Sequence, residues 1–378
     1  MRGLSVAGQL SAHLAGLCDV LGLDQSASIE LMMDLLGSNG SRLLSEPPPW
    51  PSNVADDHTP VEYSVAFNGA EPPSLRILGE ALGSPPSAQA NMRAGYKFID
   101  SQVTKFGLST KRLNAVKDLF ATEQPQGAFA LWSSLVFRSG RAPEFKVYLN
   151  PEVRGVDQAP ALVGEALDRL KLGGSYQSLL DRVIRPGELG LQDRISFFAL
   201  DLDDGPQARV KLYLTHHHAD VHDIARAARV VSGVDPSEVA EFCSLAAGTS
   251  RFSGRPLVGS YTLTEGSDEP VGYSIYVPIR SYVSDDQEAR DKAVALLKRY
   301  GFDAGILDQA LAQLTQRPLR DGVGLIPHVS LRLGPPRPGV TVYLSAETYS
   351  VFPPRSKQIP AARSPVERGS TRTTATIR

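Results

Sequence analysis

The chain has 378 residues, 42% apolar and 21% charged, with 39 Lys and Arg against 41 Asp and Glu for a formal net charge of −2. That balance suits a protein with a sizeable core and argues against a generally basic nucleic-acid binder. Cys18 and Cys243 are too few for a disulfide framework or a Cys-rich metal site. No apolar run is long enough to span a bilayer, and Met1-Arg2-Gly3-Leu4 opens no secretory h-region. The expectation is a cytoplasmic protein with neither membrane nor nucleic acid as partner.

In chain order, Leu10, Leu14, Leu17 and Leu21 sit at helical spacing within 7–22, and 27–36 reads as a second helix. A proline-rich connection over 46–60 leads into VEYSVAF (61–67) and SLRILGE (74–80), strands joined across an Asn-Gly turn signal. The same unit then recurs. Helical patterns at 88–106 and 110–121 precede LWSSLVF (131–137) and FKVYLNP (145–151). Those at 157–171 and 175–184 precede the hairpin 194–214, turning at Asp203-Asp204-Gly205. Those at 219–231 and 236–246 precede 261–279, and those at 285–300 and 303–314 precede 328–346.

Two helices followed by two antiparallel strands are therefore used five times. Tyr148, Tyr213, Tyr276 and Tyr343 fall on the second strand of successive hairpins, 65, 63 and 67 residues apart. A solenoid fits such periodicity. A closed ten-stranded antiparallel β-barrel, surrounded by a ring of α-helices, fits better because closure removes exposed strand edges. One α+β domain over 1–352 is expected. A basic disordered tail is expected over 353–378, with six Lys and Arg against one Glu from Arg355 onward.

Side chains alternate along a strand, so each hairpin declares its two faces. Val147 and Leu149 oppose Lys146 and Tyr148; Val210, Leu212 and Leu214 oppose Arg209, Lys211 and Tyr213. Ile275 and Val277 oppose Ser274 and Tyr276; Val342 and Leu344 oppose Thr341 and Tyr343; Leu75 and Ile77 oppose Arg76; Tyr63 and Val65 oppose Glu62. On a lone hairpin Lys-x-Tyr is an ordinary solvated face. Here the amphipathic helices need the aliphatic face, which sends the cations and tyrosines into the lumen. Arg76, Lys146, Arg209 and Lys211, joined by Arg332, would repel one another without an anion, and an organic diphosphate supplies one. The tyrosines offer hydroxyls to phosphate and π faces to a carbocation. Glu62 is a lone lumen carboxylate, a candidate hydrogen-bond acceptor and general base.

VEYS with Glu62, LRILGE with Arg76, FKVYLNP, ALDLDDG…RVKLYL, YSIYV and VTVYLS, in that order, resemble the dimethylallyltryptophan synthase family of aromatic (indole) prenyltransferases, bacterial branch. The resemblance runs from about residue 5 to about 350 and implies the ααββ prenyltransferase barrel. It implies Glu62 as acceptor of the indole N–H, and Arg76, Lys146, Arg209 and Lys211 as diphosphate-binding cations. Ser274 stands where many relatives carry Gln at a phosphate contact. Tyr148, Tyr213, Tyr276 and Tyr343 match the tyrosine shield around the dimethylallyl group. Where some relatives place a proton-relay Lys, this chain has Trp132, Ser133 and Ser134. Trp132 is thus a candidate for the aromatic-substrate pocket, together with Arg332 and His328.

The implied reaction is electrophilic aromatic substitution. A dimethylallyl group passes from dimethylallyl diphosphate to the indole of L-tryptophan or a small derivative, with small molecules as the only partners and a monomer or homodimer as the working form. No Asp-Asp-x-x-Asp is present, and Asp201-Leu202-Asp203-Asp204-Gly205 reads as a turn. No metal or cofactor is expected. His216-His217-His218 with Asp220 and His222 suggests a metal less than it suggests a helix start, and Asp285-Asp286 reads as another helix N-terminus. Two alternatives remain: the same fold acting on a phenolic or other aromatic acceptor, and a non-catalytic barrel that sequesters a phosphorylated ligand.

Overall fold

The computed structural model describes residues 3–355 except 175, 268 and 335–337. Five consecutive hairpins build one sheet: β1 (Val61–Asn68) with β2 (Glu71–Gly79), β3 (Leu131–Phe137) with β4 (Glu144–Leu149), β5 (Asp193–Asp201) with β6 (Val210–His216), β7 (Leu257–Leu263) with β8 (Gly272–Val277), and β9 (Val329–Leu333) with β10 (Gly339–Ser345). The sheet closes where β1 pairs β10, from Glu62 opposite Ser345 to Asn68 opposite Gly339. All ten strands are antiparallel to their neighbours, so the five hairpin turns share one end of the barrel and the helical connections the other.

Among the described residues ten α-helices wrap the outside in pairs: α1 (Val6–Leu21) and α2 (Gln25–Leu36), α3 (Ala88–Phe106) and α4 (Lys111–Phe120), α5 (Ala159–Arg169) and α6 (Tyr176–Val183), α7 (Val221–Ala228) and α8 (Pro236–Ala247), α9 (Asp286–Arg299) and α10 (Gly305–Leu314). Local chemistry sets their ends. Ser5, Asp24, Ser87, Asp235 and Asp285 accept from backbone N–H groups of the first turns they cap. Asp220 and Asp223 form a capping box on α7. Gly22, Gly107 and Gly248 end their helices in the left-handed region, which glycine enters without a Cβ clash. The sequence-based helices at 157–171 and 219–231 are shorter than expected: 156–158 is a 3-10 turn before α5, and α7 ends at Ala228.

The core is a shell rather than a centre. Val147, Leu149, Val210, Leu212, Leu214, Ile275, Val277, Val342 and Leu344 are fully buried between the strands and the helix ring. Each such side chain contributes roughly 1.5–3 kcal/mol by leaving water. Tyr63 joins this outer face, its hydroxyl donating to the Leu10 carbonyl of α1 at 2.9 Å. The ring of helices closes where α1 packs on α10, and a Cβ on Gly16 would collide with the Gln313 side chain.

The proline-rich connection is more than a linker. Val54 packs against Phe129 and Trp132, Asn53 donates to the Ala128 carbonyl at 2.7 Å, and Asp56 pairs with Arg255 and Arg280. Residues 50–59 thereby cover the barrel end opposite the hairpin turns. The chain stays docked past the expected boundary at 352: the Arg355 N–H donates to the Ser284 carbonyl at 2.7 Å and its guanidinium to that of Ser281 at 2.6 Å. The rest of the expected tail, 356–378, lies outside the described residues.

Candidate active site

The lumen holds a cavity of about 570 Å³. It stays open because register places a small residue beside each long one: Ser134 faces Lys146, Ala199 faces both Tyr148 and Lys211, Ser260 faces Tyr213 and Ser274, Arg332 faces Ser274, Ser330 faces Tyr276, and Ser64 faces Tyr343. Such pairs cannot fill the interior as paired aliphatic chains would. A wider groove of about 940 Å³ runs outside the barrel along α9, between Leu245 and Arg320, without the cation-and-tyrosine chemistry.

Depth follows strand position, at about 3.4 Å per residue. Asn68, Glu71, Arg138 and Glu144 line the mouth near the hairpin turns. Next come Arg76, Lys146, Lys211, Ser274, Arg332 and Thr341, and Lys211 and Ser274 are 8% and 3% exposed. Two residues further in on the same strands lie Tyr148, Tyr213, Tyr276 and Tyr343, with Glu62 near the covered end beside Leu78. The cavity thus brings together Glu62, the four tyrosines, Arg76, Lys146, Arg209, Lys211, Ser274 and Arg332.

The tyrosines form a continuous belt. Ring centroids are 5.7 Å apart for Tyr148–Tyr213 and for Tyr213–Tyr276, and 6.1 Å for Tyr276–Tyr343; the Tyr148 and Tyr213 hydroxyls lie 3.3 Å apart. Burial pushes the Tyr148 phenol up to about 12 and those of Tyr213 and Tyr343 well above their usual range, so these three are neutral. Phe197 extends it inward, 5.6 Å from Tyr213 and 6.3 Å from Tyr148.

Three expected positions are placed differently from one another. Arg332 belongs to the cation layer, across the ladder from Ser274 and 3.4 Å from Asn68 Oδ1. Trp132 packs below the belt, stacked on Phe129 at 4.2 Å and 5.7 Å from Phe197, with its Nε1 buried and unpartnered among the described residues. His328 stands just before β9 outside the cavity lining, edge-on to Tyr343 at 6.1 Å; burial and then Arg255 and Arg280 push its imidazole down to about 4. Arg209 also sits differently from a wall residue. β6 begins one residue later, so its side chain stays at the rim, 40% exposed.

The electrostatics contain a group the sequence reading assigned to a turn. Asp203 does make the turn, accepting from Gly205 N–H at 2.6 Å, but Asp201 is the last residue of β5 and faces the lumen. Its carboxylate lies 3.0 Å from Lys146 Nζ and 2.7 Å from Arg209 Nε. Glu62 is therefore not the lone acid of the lumen. Burial would raise Asp201, yet Lys146 and Arg209 together hold it well below the ordinary carboxylate range. Glu62 has no such partner, and burial alone pushes it up to about 8. Burial brings Lys146 down to about 8 against the pull of Asp201, and puts Lys211 far below its usual value, helped by Lys146, Arg209 and Arg76.

The histidine run has a structural place. His216 Nδ1 lies 2.9 Å from Asp193 Oδ1 in a buried group with Arg185, and Asp220 caps α7. Among the described residues no three His, Cys, Asp or Glu side chains are grouped to hold a metal ion. No helix of the described residues is long and apolar enough to cross a membrane.

The chain is similar to known proteins along nearly its whole length. The chain is 68% identical to 6-dimethylallyltryptophan synthase from Micromonospora olivasterospora in complex with DMASPP and Trp, with TM-score 0.91, covering 93% of this chain and 100% of that one. A second structure, of a 6-dimethylallyl tryptophan synthase, is 67% identical with TM-score 0.91 over 94% and 100%. The 5-dimethylallyl tryptophan synthase from Streptomyces coelicolor, in complex with DMASPP and Trp, is 35% identical with TM-score 0.86 over 95% and 100%. Residues 30–306 match the tryptophan dimethylallyltransferase family, and with identity of this order along nearly its whole length the chain belongs to that family.

Proposed function

We propose that this tryptophan prenyltransferase transfers the dimethylallyl group of dimethylallyl diphosphate to C6 of the indole of L-tryptophan. The observation that carries the reading is the layering of one cavity, with cations toward the mouth, tyrosines in the middle and, among its described lining residues, Glu62 as the carboxylate at the covered end. The choice of C6 over C5 rests on 68% identity to a 6-dimethylallyltryptophan synthase against 35% to a 5-dimethylallyl tryptophan synthase.

In this reading Arg76, Lys146, Arg209, Lys211 and Arg332, with Ser274 and Thr341, receive the diphosphate. As the allylic C–O bond breaks, negative charge grows on the leaving oxygens, and cations already fixed in a low-dielectric lumen stabilise it. The tyrosine belt walls the allylic cation from water with π faces and non-acidic hydroxyls. Glu62 accepts the indole N–H from below and raises the nucleophilicity of the ring, whose carbon attacks the cation. Loss of the ring proton to the released diphosphate then restores aromaticity. Trp132, Phe129, Phe197 and Val54 form the apolar floor that limits how the indole can lie, and placement selects the carbon that reacts.

Five side-chain cations stand where a divalent ion would otherwise neutralise a diphosphate, so turnover needs no metal. We also assign a cytosolic site of action and a monomeric or homodimeric form. Incubation of the protein with L-tryptophan and dimethylallyl diphosphate in EDTA should give full turnover, and NMR of the product should show the prenyl group on C6. Loss of turnover on chelation, restored by Mg²⁺, refutes the metal-free reading; a product substituted elsewhere on the ring refutes the assignment of C6.

A further inference from the structure

We propose that Asp201 is a positioning residue, the built-in counter-ion of the diphosphate site, which holds the Lys146 ammonium and the Arg209 fork against the lumen wall before the donor arrives. The inference rests on reading the lumen cations as the diphosphate site.

The geometry is specific. Asp201 on β5 is the direct cross-strand partner of Lys146 on β4. One carboxylate oxygen takes Lys146 Nζ at 3.0 Å; the other takes Arg209 Nε at 2.7 Å and the Arg209 backbone N–H at 3.0 Å. The Lys146 and Asp201 side chains are only 13% and 14% exposed. Around Lys146 the remaining charges are cationic: Arg76 from β2, Lys211 from β6, Arg209 before it and Arg332 from β9. Glu144, on its own strand, is occupied by Arg138 at the mouth. Tyr148 and Tyr213, deeper in, are neutral. Among the described residues Asp201 is the one carboxylate within ion-pair distance of Lys146, and none lies that close to Lys211.

The consequence differs for the two basic side-chain types. A guanidinium stays charged in almost any setting, whereas a desolvated lysine beside other cations sheds its proton. Without Asp201 the Lys146 amine would meet the incoming donor uncharged more often as pH rises. It would contribute a neutral hydrogen bond where a charge-assisted one is needed. With Asp201 the ammonium is present and aimed at the start. The bound diphosphate then supplies the same counter-charge, so Asp201 acts mainly on capture of the donor and little on the step after it.

The test is the Michaelis constant for dimethylallyl diphosphate in the wild type, Asp201→Asn, Lys146→Arg and the double variant. An opposite charge at this distance moves a pKa by about 1–3 units, so the Asp201→Asn penalty in KM should grow about tenfold between about pH 6.5 and 8.5. kcat at saturating donor should change by less than about threefold, since the bound anion replaces the lost charge. When residue 146 is Arg the same penalty should grow with pH far less, because Asp201 then acts only on the more distant Lys211, and a merely structural role for Asp201 does not produce that difference. A penalty that is flat with pH in the Lys146 background, equal growth in the Lys146→Arg background, or a KM that falls on removing Asp201 overturns the proposal. Should Asp201→Asn not fold, the Lys146→Arg protein decides alone: it must flatten the alkaline rise of KM relative to wild type. Absence of any prenylated tryptophan from the wild type would instead overturn the reading of the site.

Discussion

Glu62 is buried near the covered end of the lumen, 7% exposed, with no hydrogen-bond or ion-pair partner among the described residues. Its replacement by Gln keeps the shape and removes the titration, and two opposite effects follow. Burial lifts the carboxyl from 4.5 to about 8. Between those values the unfolded chain has lost the proton and the folded chain retains it, so folding stability falls as pH rises, by about 1.4 kcal/mol per unit. The loss begins near the unfolded pKa and is complete once pH passes the folded one. From pH 5 to 8.5 the wild type should therefore lose about 4 kcal/mol that the Gln variant does not. Urea unfolding of both proteins across this range reads the difference, with other titrations cancelling. Activity moves the other way. With donor saturating, so that bound diphosphate holds the lysines charged, wild-type kcat/KM for tryptophan should climb about tenfold per pH unit up to about 8. The Gln variant should be lower by about 10²- to 10³-fold and lack that acid limb. A stability gap that does not widen with pH, or an unchanged acid limb in the variant, refutes the placement of Glu62 as a desolvated base.

Diphosphate binding should take up protons. Burial, then Lys146, Arg209 and Arg76, keeps the Lys211 amine below its usual range, and a bound polyanion draws a proton back, so affinity weakens as pH rises; calorimetry in buffers of different ionisation enthalpy should report uptake, and release would contradict it. Asp286 is fully buried, accepts the Gly324 and Leu325 N–H groups at 2.7 and 2.9 Å and pairs with Arg317. Asp286→Ala should cost about 3–5 kcal/mol in urea unfolding, because the buried partners are left behind. Tyr63→Phe removes one buried hydroxyl from the Leu10 carbonyl and should cost about 1 kcal/mol while leaving kcat unchanged, since that ring lies outside the lumen.

Much of the site was legible because the barrel alternates faces over two-residue steps. Lys146 and Tyr148, Lys211 and Tyr213, and Ser274 and Tyr276 could be sent inward from spacing alone once the helices claimed the aliphatic face. Asp201 could not. Strict alternation along β5 from Ile195, which faces the helices opposite Leu214, would put Phe197, Ala199 and Asp201 outside as well. A register shift between Ile195 and Phe197 reverses the face, so Phe197 meets Tyr213 and Ala199 meets Lys211. Nothing in Arg194-Ile195-Ser196-Phe197 announces that bulge, and the acidic run after it reads as a turn. The floor was hidden for another reason. Val54 reaches the locally stacked Phe129 and Trp132 only through long-range packing of a proline-rich segment with no period of its own.

The inverted polarity separates what holds the molecule together from what it does. Aliphatic side chains lock the outer strand faces to the helix ring, so the lumen has no duty to fill itself, and its serines leave the space a substrate needs. Charge in that space still has to be neutralised, and the chain does so unevenly. Asp201 supplies a counter-ion to one lysine, burial and neighbouring cations push the other far below its usual range, and burial alone raises Glu62. A net charge of −2 says nothing of this arrangement. The charge that burial disfavours most is that of the Lys211 amine, and the bound diphosphate draws a proton back to it. Occupied and empty lumens thus differ in protonation as well as in contents, and titration of the ligand-free protein describes only the state that waits.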